Sequence, residues 1–248
     1  QVRVESLSNA IPVIPLEHIK QWLERSSIIN PESLEQTPYI VGAADHRVLA
    51  AAGQTVYARG HGLEVGQRYA IYREGQPYVL TDNQGKKYTA GLEINQVASG
   101  IAVRGENDIT TLELTDTYTG EVRRGDRVLP EYDPMLPTVF YPTHANNVTS
   151  GGSIVRVLGS IGTAAIHSVV TIDRGSSQGV QAGYVFSVED KGDIVNDPKT
   201  RERIQLPDQR VGQIMVFKTF DNLSYAYVLE SELPIKVGAS IQPPLMDD

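Results

Sequence analysis

From Tyr39 onward the apolar residues come in short runs, broken by Gly, Asp and Asn. This is the spacing of many short strands joined by tight turns rather than of helices. Residues 1–39 follow another rule. Pro12 and Pro15 punctuate an extended stretch, and Leu16, Ile19 and Leu23 fall on one face of a short amphipathic helix over Leu16–Arg25. A second short helix is expected at Asn30-Pro31, where Asn can cap and Pro suits the first helical position.

The strand pattern repeats. Val56-Tyr-Ala-Arg-Gly60 matches Val170-Thr-Ile-Asp-Arg-Gly175, the second copy being one residue longer. A glycine follows (Gly66 or Gly183), then an aromatic residue (Tyr69 or Phe186), an apolar residue (Ile71 or Val188) and another glycine (Gly75 or Gly192). Next come a hairpin-like turn at Asp82–Gly85 or Asp197–Thr200, and strands opening at Gly91 or Gly212. The alternating runs Thr111–Leu114 and Tyr225–Val228 follow, and each copy closes on a turn glycine and a proline, Gly125 to Pro130 and Gly238 to Pro243. A shared order of so many landmarks points to duplication.

The expected fold is mainly β, with two tandem, duplicated small β-barrel or sandwich units of SH3-like size behind a short helical segment. The segments are 1–39 (extended and helical), 40–132 (first unit), 133–152 (a linker rich in Pro, Asn, Thr and Gly) and 153–248 (second unit).

Composition narrows the function classes. The net charge is −8 and no run of Lys or Arg exceeds two residues, which disfavours nucleic acid and anionic lipid surfaces as partners. The absence of cysteine removes disulfides, thiolate metal sites and cysteine nucleophiles. No apolar stretch approaches the roughly 20 residues of a membrane-spanning helix, so membrane insertion is not expected. The chain begins at Gln1 rather than Met, as a processed product or a piece of a longer protein would.

Catalytic patterns are sparse. The five histidines, at 18, 46, 61, 144 and 167, share no spacing that would place two on one helix face. Asp45-His46 with His61 and Asp82 is the nearest approach to an acid–base set, but neighbours on a strand point to opposite faces. No nucleophile elbow, zinc-binding helix or phosphate loop occurs. The acidic residues Asp190, Asp193, Asp197 and Glu202 lack the alternate spacing of a calcium loop. Arg124-Gly-Asp126 spells an integrin tripeptide, yet its counterpart Val237-Gly-Ala239 marks it as a turn leading into a strand, and Asn147-Val-Thr149 is a formal glycosylation acceptor. The expectation is therefore no enzyme, no cofactor and no metal. A ligand or partner surface is expected around Arg59, Tyr72, Tyr78, Arg174 and Tyr225, since arginines beside turn glycines and strand tyrosines suit polar contacts and ring stacking.

Ala10-Ile-Pro-Val-Ile-Pro15, Tyr39-Ile-Val-Gly-Ala-Ala-Asp45, Val56–Gly60, Gly125-Asp-Arg-Val-Leu-Pro130 and Val216-Phe-Lys-Thr-Phe-Asp221 come in an order that resembles the region following the LysM module in proteobacterial LysM-domain envelope proteins. The resemblance covers nearly the whole chain. It implies an exported, periplasmic or wall-associated protein, held to peptidoglycan by an upstream LysM module that this sequence does not contain. The glycan-binding residues of that module therefore carry over to no position here. The resulting expectation is a non-catalytic binding or scaffolding module that presents a surface to an envelope protein. The alternatives are direct binding of peptidoglycan glycan through exposed tyrosines and, last, a cell-wall hydrolase.

Overall fold

The computed structural model describes residues 14–82, 84–131, 143–144, 151–160 and 162–243, with no account of the side chains of His46, Thr143 and His144. Among the described residues strand makes up 55% and helix 9%, so the protein is mainly β with a short helix ahead of the strands. The expected linker lies almost wholly outside the described residues, as do Asn147–Thr149. Among the described residues no helix is long and apolar enough to cross a membrane.

The amphipathic pattern does form helix α1 (Leu16–Glu24), with Ile19 fully buried. Strand β1 (Ser26–Ile29) follows, then α2 (Pro31–Glu35), where Asn30 caps by accepting the Glu32 amide at 2.9 Å. The chain then builds β2 (Tyr39–Ala43), β3 (Leu49–Ala50), β4 (Thr55–Arg59), β5 (Arg68–Thr81), β6 (Lys87–Glu106), β7 (Ile109–Thr117), β8 (Val122–Arg123) and β9 (Arg127–Pro130). Six of these close into an antiparallel barrel in the order β6-β5-β9-β2-β4-β7, with β7 returning to β6 and β1 added on β6. Alternation along each strand sends one set of side chains inward. Ile40, Val56, Ala58, Tyr69, Ile71, Ala98, Leu112 and Val128 make up that core, all at 4% exposure or less.

The second half repeats the scheme with β10 (Thr143–His144), β11 (Gly152–Leu158), β12 (Thr163–Ala164), β13 (Val169–Ile172), β14 (Tyr184–Asp190), β15 (Ile194–Asn196), β16 (Arg203–Gln205), β17 (Gln209–Thr219), β18 (Ser224–Ser231), β19 (Ile235–Lys236) and β20 (Ser240–Gln242). The ring runs β17-β14-β20-β11-β13-β18 and closes from β18 onto β17. Numbered by chain order within each barrel, the two rings have the same connectivity. Even the small accessory pairs correspond, β3 with β8 in one and β12 with β19 in the other.

Hydrogen bonds fix the equivalences. Gly66 donates to Ala102 O as Gly183 does to Val216 O, and Gly125 donates to Ile40 O as Gly238 does to Ile154 O. All four glycines have positive φ, between 88° and 95°. Ile71 faces Val128 as Val188 faces Ile241, so Tyr69 and Phe186 occupy one position. Two landmarks shift. Val56 pairs with Leu112 as Val170 pairs with Ala226, so the extra residue of the second copy follows Ile172 and Arg59 corresponds to Asp173, not Arg174. Likewise Ile71 pairs with Ala98 where Val188 pairs with Gly212, so Gly91 lies further out along the first copy's longer hairpin.

Contacts divide the chain at Lys20/Gln21 and Leu136/Pro137, grouping the N-terminal residues with the second barrel and residues 21–136 with the first. Within the first, Asp126 of the integrin-like tripeptide is 3% exposed and held by Arg73 through two hydrogen bonds of 3.1 and 2.8 Å. Its carboxylate also accepts the Arg123 amide at 2.9 Å. It is a structural turn, with no carboxylate to offer a receptor.

Candidate interaction surface

Closing a barrel leaves it without free strand edges, so an open backbone edge must lie outside the ring. Besides the outer edges of β1 and β10, one lies at the same place in both units, the hairpin between the third and fourth ring strands. In the second unit β15 and β16 pair only with each other, as a two-stranded arm whose six residues are all exposed. Val195 pairs directly with Ile204, and alternation puts Leu206 on that same face. These residues are 38%, 42% and 42% exposed, and Ile194 on the reverse face is 57% exposed. In the first unit the outer parts of β5 and β6 form the arm, with Val79 and Tyr88 exposed.

Both arms are built by the same devices. At the tip Asp82 accepts the amides of Gln84 and Lys86 at 2.9 and 2.8 Å, and Asp197 accepts those of Lys199 and Thr200 at 2.6 and 3.0 Å. At the base Gly75 and Gly192 let the strands approach closely. A Cβ on Gly192 would stand 2.1 Å from Leu206 O and 2.4 Å from Pro207 O. Gly192→Ala should therefore displace the arm while the barrel stays folded. Hydrogen exchange will show loss of protection at Val195 and Ile204 with the β17 and β18 amides unchanged.

The amides of Thr200 and Lys199 hold the Asp197 carboxyl below its ordinary value of 3.8. A depressed carboxylate stabilises the tip above its unfolded pKa, and that contribution fades as the pH falls below 3.8 through the lower folded value. Acidification through that window should speed exchange of the Lys199 and Thr200 amides before the barrel amides respond.

The five surface residues expected from sequence are not brought together. Arg59 is exposed and its Nε donates to Asp108 Oδ2 at 2.7 Å, a bond that holds the Asp108 carboxyl below its usual range. Tyr72 is half-buried, and burial pushes its hydroxyl up. The Tyr78 ring is 2% exposed, its hydroxyl donating to Glu93 Oε2 at 3.0 Å. Tyr225 is fully buried against Phe220, ring centres 5.0 Å apart. Arg174 is half-buried, donating to the carbonyls of Gly151 and Asp173. Tyr78 and Tyr225 thus have no ring face to stack on a sugar, because each ring is covered by its neighbours. Among the described tyrosines, the exposed rings are those of Tyr39 and Tyr88.

The acid–base candidates are likewise spent on turns. Asp82 caps its hairpin and Asp45 sits at a positive φ of 58°, while the side chain of His46 lies outside the described residues. In the acidic segment Asp190 lies 3.7 Å from Lys236, and Asp197 is taken by its own turn.

Three features escaped the sequence. Buried Ser99 on β6 donates to Glu131 Oε1 at 2.5 Å, and Glu131 also accepts from Arg68 at 2.8 Å, which ties the end of β9 to β5 and β6. Burial pushes the Lys218 amine down to about 8, close to the Phe220 ring. His18 and His167 both reach the hydroxyl of Tyr227. The first and third bring together residues far apart in the chain, which no local motif encodes, and the second depends on how deeply the fold buries Lys218. The chain matches no protein-family model, and no curated protein matches it.

Proposed function

We propose that this chain is a non-catalytic binding and scaffolding module of the bacterial cell envelope, belonging to an exported LysM-type protein and presenting its hairpin arms to a protein partner. Peptidoglycan would be held by the upstream LysM module. The observation that carries the reading is the apolar face of the second arm, where Val195, Ile204 and Leu206 stand exposed on a ribbon that buries none of them. A two-stranded ribbon is marginal by itself, and natural proteins seldom leave apolar ribbons uncovered without a use for them. The sequence resemblance supplies the compartment, and the acidic balance of the chain suits neither nucleic acid nor anionic lipid.

The test places a photo-crosslinking residue at Val195 or Tyr88 of the full-length protein in its native envelope, with one at exposed Val48 as the control. A discrete adduct from the arm positions, lost when residues 194–205 are replaced by a two-residue turn, is the expected result. Adducts equal to those of the control position would overturn it. Pelleting of the 1–248 fragment with purified peptidoglycan would instead favour direct glycan binding.

A further inference from the structure

We propose that His18, His167 and Tyr227 form a binding site for a divalent late transition-metal ion, copper(II) foremost. All three belong to the unit of the second barrel. His18 lies in the first turn of α1, His167 in the turn before β13, and Tyr227 on the outer face of β18. The Nδ1 atoms of both imidazoles converge on one oxygen, at 2.7 and 2.5 Å from the Tyr227 hydroxyl, with the two rings 5.2 Å apart. The imidazoles are exposed to solvent while the tyrosine is 2% exposed, so an ion can reach ligands that stand on a fixed base. His167 is held at a positive φ of 72°, an uncommon conformation for a non-glycine residue and one enriched at functional sites.

A hydroxyl has one proton, so it can donate to only one of these imidazoles and must accept from the other. Replacing that proton by a cation lets all three lone pairs point at one centre. Metal–nitrogen and metal–oxygen bonds of roughly 2.0–2.1 Å at right angles put each nitrogen roughly 3 Å from the oxygen, close to the 2.7 and 2.5 Å separations already present. Two imidazole nitrogens and one oxygen are a donor set that suits copper(II), which also heads the affinity order of the divalent series. Among the described residues no three of His, Asp or Glu come together, which leaves Tyr227 as the third ligand here.

Binding forms one metal–oxygen and two metal–nitrogen bonds and releases the phenolic proton to solvent, while the imidazole that donated from Nδ1 carries its proton on Nε2 instead, which frees the Nδ1 lone pair. Because binding releases the phenolic proton, affinity should rise with pH.

The experiment titrates copper(II) into the 1–248 chain, followed by calorimetry, electron paramagnetic resonance and visible absorption. One site is expected, with nitrogen hyperfine structure and a phenolate-to-copper charge-transfer band. His18→Ala/His167→Ala, which keeps His46, His61 and His144, should bind at least about tenfold more weakly. Tyr227→Phe should fold normally, retain the nitrogen signature and lose the charge-transfer band. Equal affinity in the double variant, no site in the unmodified chain above that variant's background, or a band that survives Tyr227→Phe each overturns the proposal.

Discussion

Phe186→Ala is expected to destabilise the second barrel by about 3–5 kcal/mol, the range for deleting a fully buried aromatic ring. Phe186 is 0% exposed and points into the core formed by Ile154, Val170, Ile172, Ile214, Val228 and Ile241, contributed by five different ring strands besides its own. A closed ring has little freedom to collapse around the void, because moving one strand inward strains both its hydrogen-bonded neighbours. Amide exchange in β17 and β18 should report the loss, with β6 and β7 as the internal reference. Phe186→Tyr is the informative companion. Tyr69 holds the equivalent position and its hydroxyl accepts the Glu64 amide at 2.6 Å, but the partner loop differs in the second copy. Phe186→Tyr should therefore also be unfavourable, through an unpaired buried hydroxyl that costs about 1–3 kcal/mol. A loss below about 1 kcal/mol for Phe186→Ala in chemical denaturation would mean that the barrel is not packed as described.

The second large effect is Asp126→Ala, expected to cost the first barrel about 3 kcal/mol. The substitution removes the acceptor of three hydrogen bonds and leaves the guanidinium of Arg73, whose side chain is 24% exposed, facing an apolar methyl. The other barrel already carries alanine here, as Ala239, but there the arginine is gone as well: its place belongs to Asp190, which faces Lys236 at 3.7 Å. The pair has changed together between the copies. Arg73→Ala/Asp126→Ala should accordingly be less harmful than Asp126→Ala alone, by about 1 kcal/mol or more, since breaking one side of a buried pair costs more than deleting both. Equal losses in a double-mutant cycle would remove the argument.

The landmarks that proved informative are those dictated by backbone geometry. Gly66, Gly183, Gly125 and Gly238 sit at positive φ and donate to matching carbonyls, so their spacing survived divergence and could be read from sequence. Gly91 misled because a hairpin can lengthen without disturbing the ring. The extra pairs from Glu74–Ile94 to Thr81–Lys87 moved that glycine away from the position that Gly212 holds. Strand β1 went unseen because Ser26-Ser-Ile-Ile29 is too short to show a period, and its pairing with β6 is non-local. Tyr72, Tyr78 and Tyr225 were expected to line a ligand surface because a tyrosine joins an apolar ring to a polar tip, although half-buried packing is the ordinary fate of a strand tyrosine. Tyr225 and Tyr227 instead lie on an outer face that is itself buried, a matter of tertiary packing and not of period. His18 and Tyr227, 209 residues apart, meet only once the chain is folded.

The ring closure has a kinetic consequence. In each unit the last ring strand, β9 or β20, must insert between the first and third, so pairing Tyr39 with Arg127 or Gly152 with Ile241 closes a loop spanning nearly the whole barrel. Such long loops carry their entropic cost before any contact repays it, which places these barrels among slow-folding topologies. A nascent first unit that has not yet emerged past Arg127 exposes the edges of β2 and β5 together, the arrangement most open to pairing with a neighbouring chain. Synthesis and folding are thus out of step twice in one polypeptide, and the interval before each sixth strand arrives is when a chaperone would be needed most.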